Sequence, residues 1–199
     1  DHKLVELGLT PNDEAYKAQY YSYLMNGLLT QIIRIKEGDK IEEAHMRNRA
    51  LIAWWTLEHA GGAVELVQEE VSYASAEDAL KDAEGNIIST RTYVKVNDYE
   101  KLRHLFGELL AEIQRIKSEG DYEAARQLVE KYAVNIDPAL HREILARYKK
   151  LNLAPYKGFI NPKMTLVFDE EGNPIDVNLD YEESYTDQML RYSDEYGTL

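Results

Sequence analysis

At 199 residues, 44% hydrophobic and 30% charged, the chain is about one ordinary domain with enough apolar material for a core, and its composition is that of a globular rather than a disordered chain. Lysine and arginine number 23 against 36 acidic residues, and the net charge of −13 makes nucleic acid and anionic membranes poor partners. Cysteine is absent, which removes thiolate nucleophiles, cysteine-bound metals and disulfides, and leaves the compartment undecided.

The first residues, Asp1-His2-Lys3-Leu4, look neither like a signal peptide nor like an initiation site, so the chain is expected to start in mid-protein. Thr10-Pro11-Asn12-Asp13 combines cap, proline and acid, and predicts a helix start. One long helix is expected from Ala15 to Ile35, with Tyr20, Tyr21, Leu24, Leu28, Ile32 and Ile35 on its buried face. A second is expected from about Ile41 to Glu58. It is apolar over much of its circumference near Leu51, Ile52, Trp54 and Trp55, as a central helix would be, and Ala60-Gly61-Gly62 stops it. Ser75-Ala76-Glu77-Asp78 is a short capping box, Glu84-Gly85-Asn86 a turn, and Ile87 to Val96 a β-prone run that reads as an edge strand or hairpin. Asn97-Asp98 caps an amphipathic helix through Ile116, Gly120-Asp121 divides it from another through Tyr132, and Asp137-Pro138 starts a third that reaches Lys150. Beyond Pro155 the period becomes two. Met164 to Phe168 and Ile175 to Tyr181 form a hairpin around Glu171-Gly172-Asn173-Pro174, and a short helix from Glu183 to Tyr196 closes the chain. The fold class is mainly α, a multi-helix domain with one or two small β-hairpins, α+β at the margin.

No local motif announces a reaction. The five histidines form no HxxxH pair, and phosphate-binding loops, nucleophile elbows and dinucleotide fingerprints are missing. The pairs Glu42-Glu43 and Glu69-Glu70 read as solvated faces. His45 and Arg49 lie one helical turn apart, with Glu42 a turn earlier, so an imidazole and a guanidinium share a face that could take a polarised carbonyl and a carboxylate. By spacing alone a surface ion pair between Glu42 and Arg49 or its neighbours, with His45 a bystander, is the better explanation. Arg34, Arg115 and Arg147 sit near helix C-termini, where cations complement the dipole. Arg191, among Met189, Leu190 and Tyr192, could direct its head into a cleft, which spacing alone does not decide.

Four segments carry a resemblance: Tyr20 to Gly27, Glu42-Glu43-Ala44-His45-Met46-Arg47-Asn48-Arg49, Gly107 to Tyr122, and Asn152 to Phe159. Together they resemble the C-terminal part of bacterial dipeptidyl peptidase III, a family of zinc exopeptidases that release dipeptides from the N-termini of short peptides. The AHMxxR stretch is the most diagnostic. The resemblance covers nearly the whole of 1–199, the C-terminal portion of the catalytic domain, and implies that the zinc-binding HExxGH and EExRA(E/D) helices lie upstream of Asp1. The parent would then use zinc, and this fragment would bind none and be inactive alone. By the same resemblance His45 would contact the scissile carbonyl oxygen, while Arg49 and Arg191 would bind substrate. The implied partners are short peptides, with self-association through exposed apolar surface. The alternative reading is a non-catalytic helical scaffold or docking module.

Overall fold

A computed structural model describes residues 2–151 and 161–196, which fall in two compact units, Asp1–Pro155 and Tyr156–Leu199. The segment Asn152 to Phe159 named above lies outside the described residues, as does Asp1. Among the described residues, helices dominate and the strands pair only as two-stranded antiparallel sheets, so the protein is mainly α with small β-hairpins. None of these helices is long and apolar enough to cross a membrane.

In the first unit, a short helix α1 (His2–Glu6) precedes α2 (Glu14–Leu28), whose N-cap Asp13 accepts from the Tyr16 N–H at 2.9 Å. The long helix expected to Ile35 breaks at Leu29 and resumes as a 3-10 segment, Thr30–Arg34. The reason is local. The Gln31 side-chain amide donates to the Gly27 carbonyl at 3.1 Å, taking the acceptor that the backbone N–H of residue 31 would use in a continued α-helix. It also reaches the Met46 carbonyl at 3.2 Å, so the break ties α2 to the next helix.

That helix, α3 (Ala44–His59), begins three residues later than the pattern suggested. Glu43 caps it, and Ile41 is fully buried, its N–H given to the Val134 carbonyl. α3 and α2 cross where Gly27 faces Arg49 and Ala53. A Cβ on Gly27 would stand 2.5 Å from the Arg49 carbonyl oxygen and 2.6 Å from the Ala53 Cβ, so only glycine permits this approach. The core gathers Leu24, Leu28 and Ile32 against Ala53, Leu102 and Ile144.

After α3 comes β1 (Val64–Glu70), which periodicity did not separate from the preceding turn. It pairs with β4 (Thr90–Val96) in the register Val64↔Val96 to Glu70↔Thr90. The run from Ile87 is therefore divided, because Ile87–Ile88 forms β3 and pairs instead with β2 (Leu80–Lys81). α4 (Tyr99–Glu119), α5 (Tyr122–Tyr132) and α6 (Pro138–Leu151) follow the sequence pattern. Asp98, Asp121 and Asp137 each accept from the N–H three residues on, and Gly120 ends α4 at φ 66°.

The second unit holds the hairpin β5 (Lys163–Phe168) and β6 (Pro174–Asp180) and the helix α7 (Tyr185–Tyr196). Gln188 of α7 is completely buried. Its amide donates to the Asn161 carbonyl at 2.6 Å and accepts the Asn161 N–H at 3.2 Å, anchoring the helix.

Candidate functional site

The N-terminal two turns of α3 place the residues of interest. Glu43 Oε1 and Oε2 accept the backbone N–H groups of His45 and Met46 at 2.9 and 2.8 Å, the side-chain capping that a helix start requires. Oε1 also meets His45 Nδ1 at 2.7 Å. The His45 backbone and imidazole, joined by the Met46 N–H, hold the Glu43 carboxyl at about 2, below its usual 4.5. Glu43 therefore stays ionised and committed to the cap, and it is not a free acid or base. With Nδ1–H given to Glu43, Nε2 of His45 faces water on a side chain that is 84% exposed, and it donates only when the ring carries both protons.

Arg47, two residues on, turns the other way and donates Nε–H to the Ile41 carbonyl at 2.7 Å. Arg49 is half-buried and has no carboxylate partner among the described residues. Its guanidinium lies close enough to the Tyr23 hydroxyl to draw that group's pKa down, although burial raises it by more. The Tyr23 hydroxyl also accepts from Asn48 Nδ2 at 3.4 Å. Behind Tyr23 a groove of about 430 Å³ runs between α2, α3 and α4, lined by Gln19, Tyr20, Tyr23, Ile52, Phe106 and Leu110. A planar cation, a phenol and an amide thus meet at Tyr23, which itself lines the apolar groove, a combination suited to an anionic or strongly polar group.

Arg191 belongs to the second unit and is spent locally. Glu183 takes it bidentately, Nε to Oε1 at 2.9 Å and Nη2 to Oε2 at 2.8 Å, and Glu195 accepts from Nη1 at 3.1 Å. The carboxylate of a ligand would have to displace one of them. Arg115 is likewise engaged by Glu112, Glu119 and Asp121. Glu69 and Glu70 lie at the exposed end of β1, opposite Arg91 and Thr90. Among the described residues, no group of three His, Cys, Asp or Glu side chains is arranged to hold a metal ion. Tyr23 and Asn48 were not legible as site residues. Their meeting depends on the α2–α3 crossing, which Gly27 permits and which no spacing within one helix encodes. No family model matches the chain, and no curated protein matches it.

Proposed function

We propose that the chain is part of a zinc-dependent dipeptidyl peptidase of the dipeptidyl peptidase III type, and that the start of α3 forms one wall of its peptide cleft. The observation that carries this reading is Arg49, a half-buried guanidinium with no carboxylate partner among the described residues, beside the Tyr23 hydroxyl and one helical turn beyond the His45 imidazole. An unspent cation in that position suits the carboxylate of a short peptide, since such a pair is charge-assisted and bidentate. The described residues hold no cluster arranged to ligate zinc, and in this reading other residues of the enzyme supply its ligands.

His45 would act on the developing negative charge of the carbonyl oxygen. Its Nδ1 is oriented by Glu43, and as an imidazolium its Nε2–H is free to donate. Arg49 would hold the ground state, and Arg191 would bind substrate only by exchanging one of its glutamates for it. The non-catalytic reading draws on that same pairing of Arg191, which needs no ligand. Self-association would involve Leu4, Leu7 and Leu9 around α1, which are exposed.

Two measurements test the proposal. A tetrapeptide with a free C-terminus should bind the chain more tightly than its amide, and Arg49→Gln should erase the difference; a docking scaffold shows no such preference. In a longer protein that carries the upstream zinc helices, His45→Ala should lower kcat by roughly 10²–10³ with little change in KM, as loss of one oxyanion donor does. An unchanged kcat in the folded, zinc-loaded enzyme would remove His45 from the mechanism.

A further inference from the structure

The hairpin of the second unit has one face that none of the unit's described residues covers. Met164 pairs with Leu179 and Leu166 with Val177, and Phe168 meets Pro174 across a register shift. Directly opposed residues project to the same side of a sheet, so Met164, Leu166 and Phe168 share a face with Val177, Leu179 and Ile175. All six are between 41% and 66% exposed. The reverse face carries Thr165, Asn178, Asp176 and Asp180 with Lys163, and half-buried Val167 opposite Asp176. This alternation is that of a sheet packed on one side, and a two-stranded sheet with its apolar side in water is marginal.

Charge identifies the occupant. Glu170 and Glu171 stand at the turn, Glu182 at the opposite end, Asp176 and Asp180 beneath, and between 163 and 183 only Lys163 opposes them. A second copy would bring the same acids and a net charge of −13 to the contact, and like charges at an interface are costly. We propose that this face docks an amphipathic helix of another protein, apolar along its middle and carrying lysine or arginine at its flanks. Strands of this length run about 20 Å, which a helix of about 13 residues spans. Basic residues at both ends of such a helix would meet Glu170 and Glu171 on one side and Glu182 on the other. The proposal stands on the second unit alone and is independent of the role given to α3.

The test titrates the full chain with three synthetic 14-residue peptides by calorimetry: a leucine–lysine helix with apolar i, i+3, i+4, i+7 spacing, the same helix with glutamate for lysine, and a permuted leucine–lysine sequence without the spacing. The patterned lysine helix should bind saturably, at least tenfold more tightly than either control. Leu166→Asn with Val177→Thr should abolish that binding. Glu170→Gln with Glu171→Gln and Glu182→Gln, which leaves the apolar face intact, should weaken it severalfold and flatten its salt dependence. The amide resonances of Thr165 and Asn178 report whether the pairing survives, and if the apolar variant loses it, the glutamine variant decides. Failure of the patterned helix to bind, equal binding of the permuted peptide, or insensitivity to the decisive variant would each overturn the proposal. So would dimerisation that Leu166→Asn with Val177→Thr abolishes, since a second copy would then own the face.

Discussion

Two groupings of glutamate, arginine and a helix turn occur in the first unit, and their difference is instructive. On α6, Glu143 is almost fully buried and accepts the Thr92 N–H at 2.7 Å, the Thr92 hydroxyl at 2.5 Å and Arg147 Nη1 at 3.2 Å. The same Nη1 donates to the Thr92 carbonyl at 2.8 Å, and the guanidinium lies over the Tyr93 ring. On α3, Glu43 also takes three donors, but all come from the two residues it caps and their backbone, and Arg49 takes no part. The first grouping is closed, since its charges answer one another and fasten α6 to β4. The second leaves the Arg49 guanidinium without a carboxylate partner among the described residues. Residue types alone therefore do not tell a grouping that fastens the fold from one that leaves a donor unspent.

The comparison predicts that the closed grouping governs stability. Glu143→Ala strands a buried N–H and hydroxyl of Thr92 and removes the partner of Arg147, which should cost about 3 kcal/mol and lower Tm by on the order of 10 °C. Thermal unfolding checks it, and a loss under 1 kcal/mol would show that water replaces the carboxylate and that the grouping is not closed. Gly27→Ala comes next. Its methyl would meet a backbone oxygen and the Ala53 side chain, so the helices must part, at about 1–3 kcal/mol, beyond any gain in helix propensity. The same parting should weaken peptide binding, because Tyr23 and Arg49 lie on either side of that crossing.

Most of the helical frame was legible because it rests on local chemistry: aspartate caps at 98, 121 and 137, glycine at 120, and apolar spacing along α4. The failures have one physical source, competition from distant partners. The Gln31 amide broke the long helix by bonding to Gly27 and Met46, Val134 drew Ile41 out of α3, and the split of the run from Ile87 depended on β1, whose Glu65, Gln68, Glu69 and Glu70 hide its strand pattern. Two of the expected turns share one local pattern. Asp82-Ala83-Glu84-Gly85-Asn86 and Asp169-Glu170-Glu171-Gly172-Asn173 share the pattern D-x-E-G-N. Both fold alike, the aspartate accepting the asparagine N–H at 2.8 Å and the glycine taking φ near 90°. At the site, His45 and Arg49 were visible as a pair, whereas the commitment of Glu43 to capping and of Arg191 to Glu183 required coordinates.

A smaller effect belongs to the α3 cap and depends on pH. Glu43 is held at about 2 in the folded chain, below the ordinary 4.5, by the His45 N–H and imidazole and the Met46 N–H. A carboxyl whose pKa is depressed by folding adds stability above its unfolded value and loses it as pH falls toward its folded one. Glu43→Gln keeps an acceptor at the cap and removes the charge. The Tm difference between the two proteins should be constant above about pH 5 and close progressively from 4.5 to 2. A difference independent of pH across that range would mean that the cap works through geometry alone.

The smallest expected change in stability belongs to Arg49, and it bears most directly on function. A guanidinium that takes part in folding has partners whose loss is felt, as with Arg147 and its bonds to Thr92 and Glu143. Arg49 has no carboxylate partner among the described residues, and half-burial costs its charge some hydration that no ion pair returns. Arg49→Gln should leave stability within about 0.5 kcal/mol of the parent or raise it slightly, while Arg147→Gln lowers it. The Tyr23 hydroxyl, relieved of a neighbouring cation that draws its pKa down, should titrate higher in the variant, which ultraviolet difference spectra can read. If Arg49→Gln unfolds the chain as readily as Arg147→Gln does, Arg49 is a structural residue and the contrast between the two groupings collapses. If stability holds while preference for a free peptide C-terminus disappears, the guanidinium is held ready for a ligand, and its cost is carried by a fold that the closed grouping secures.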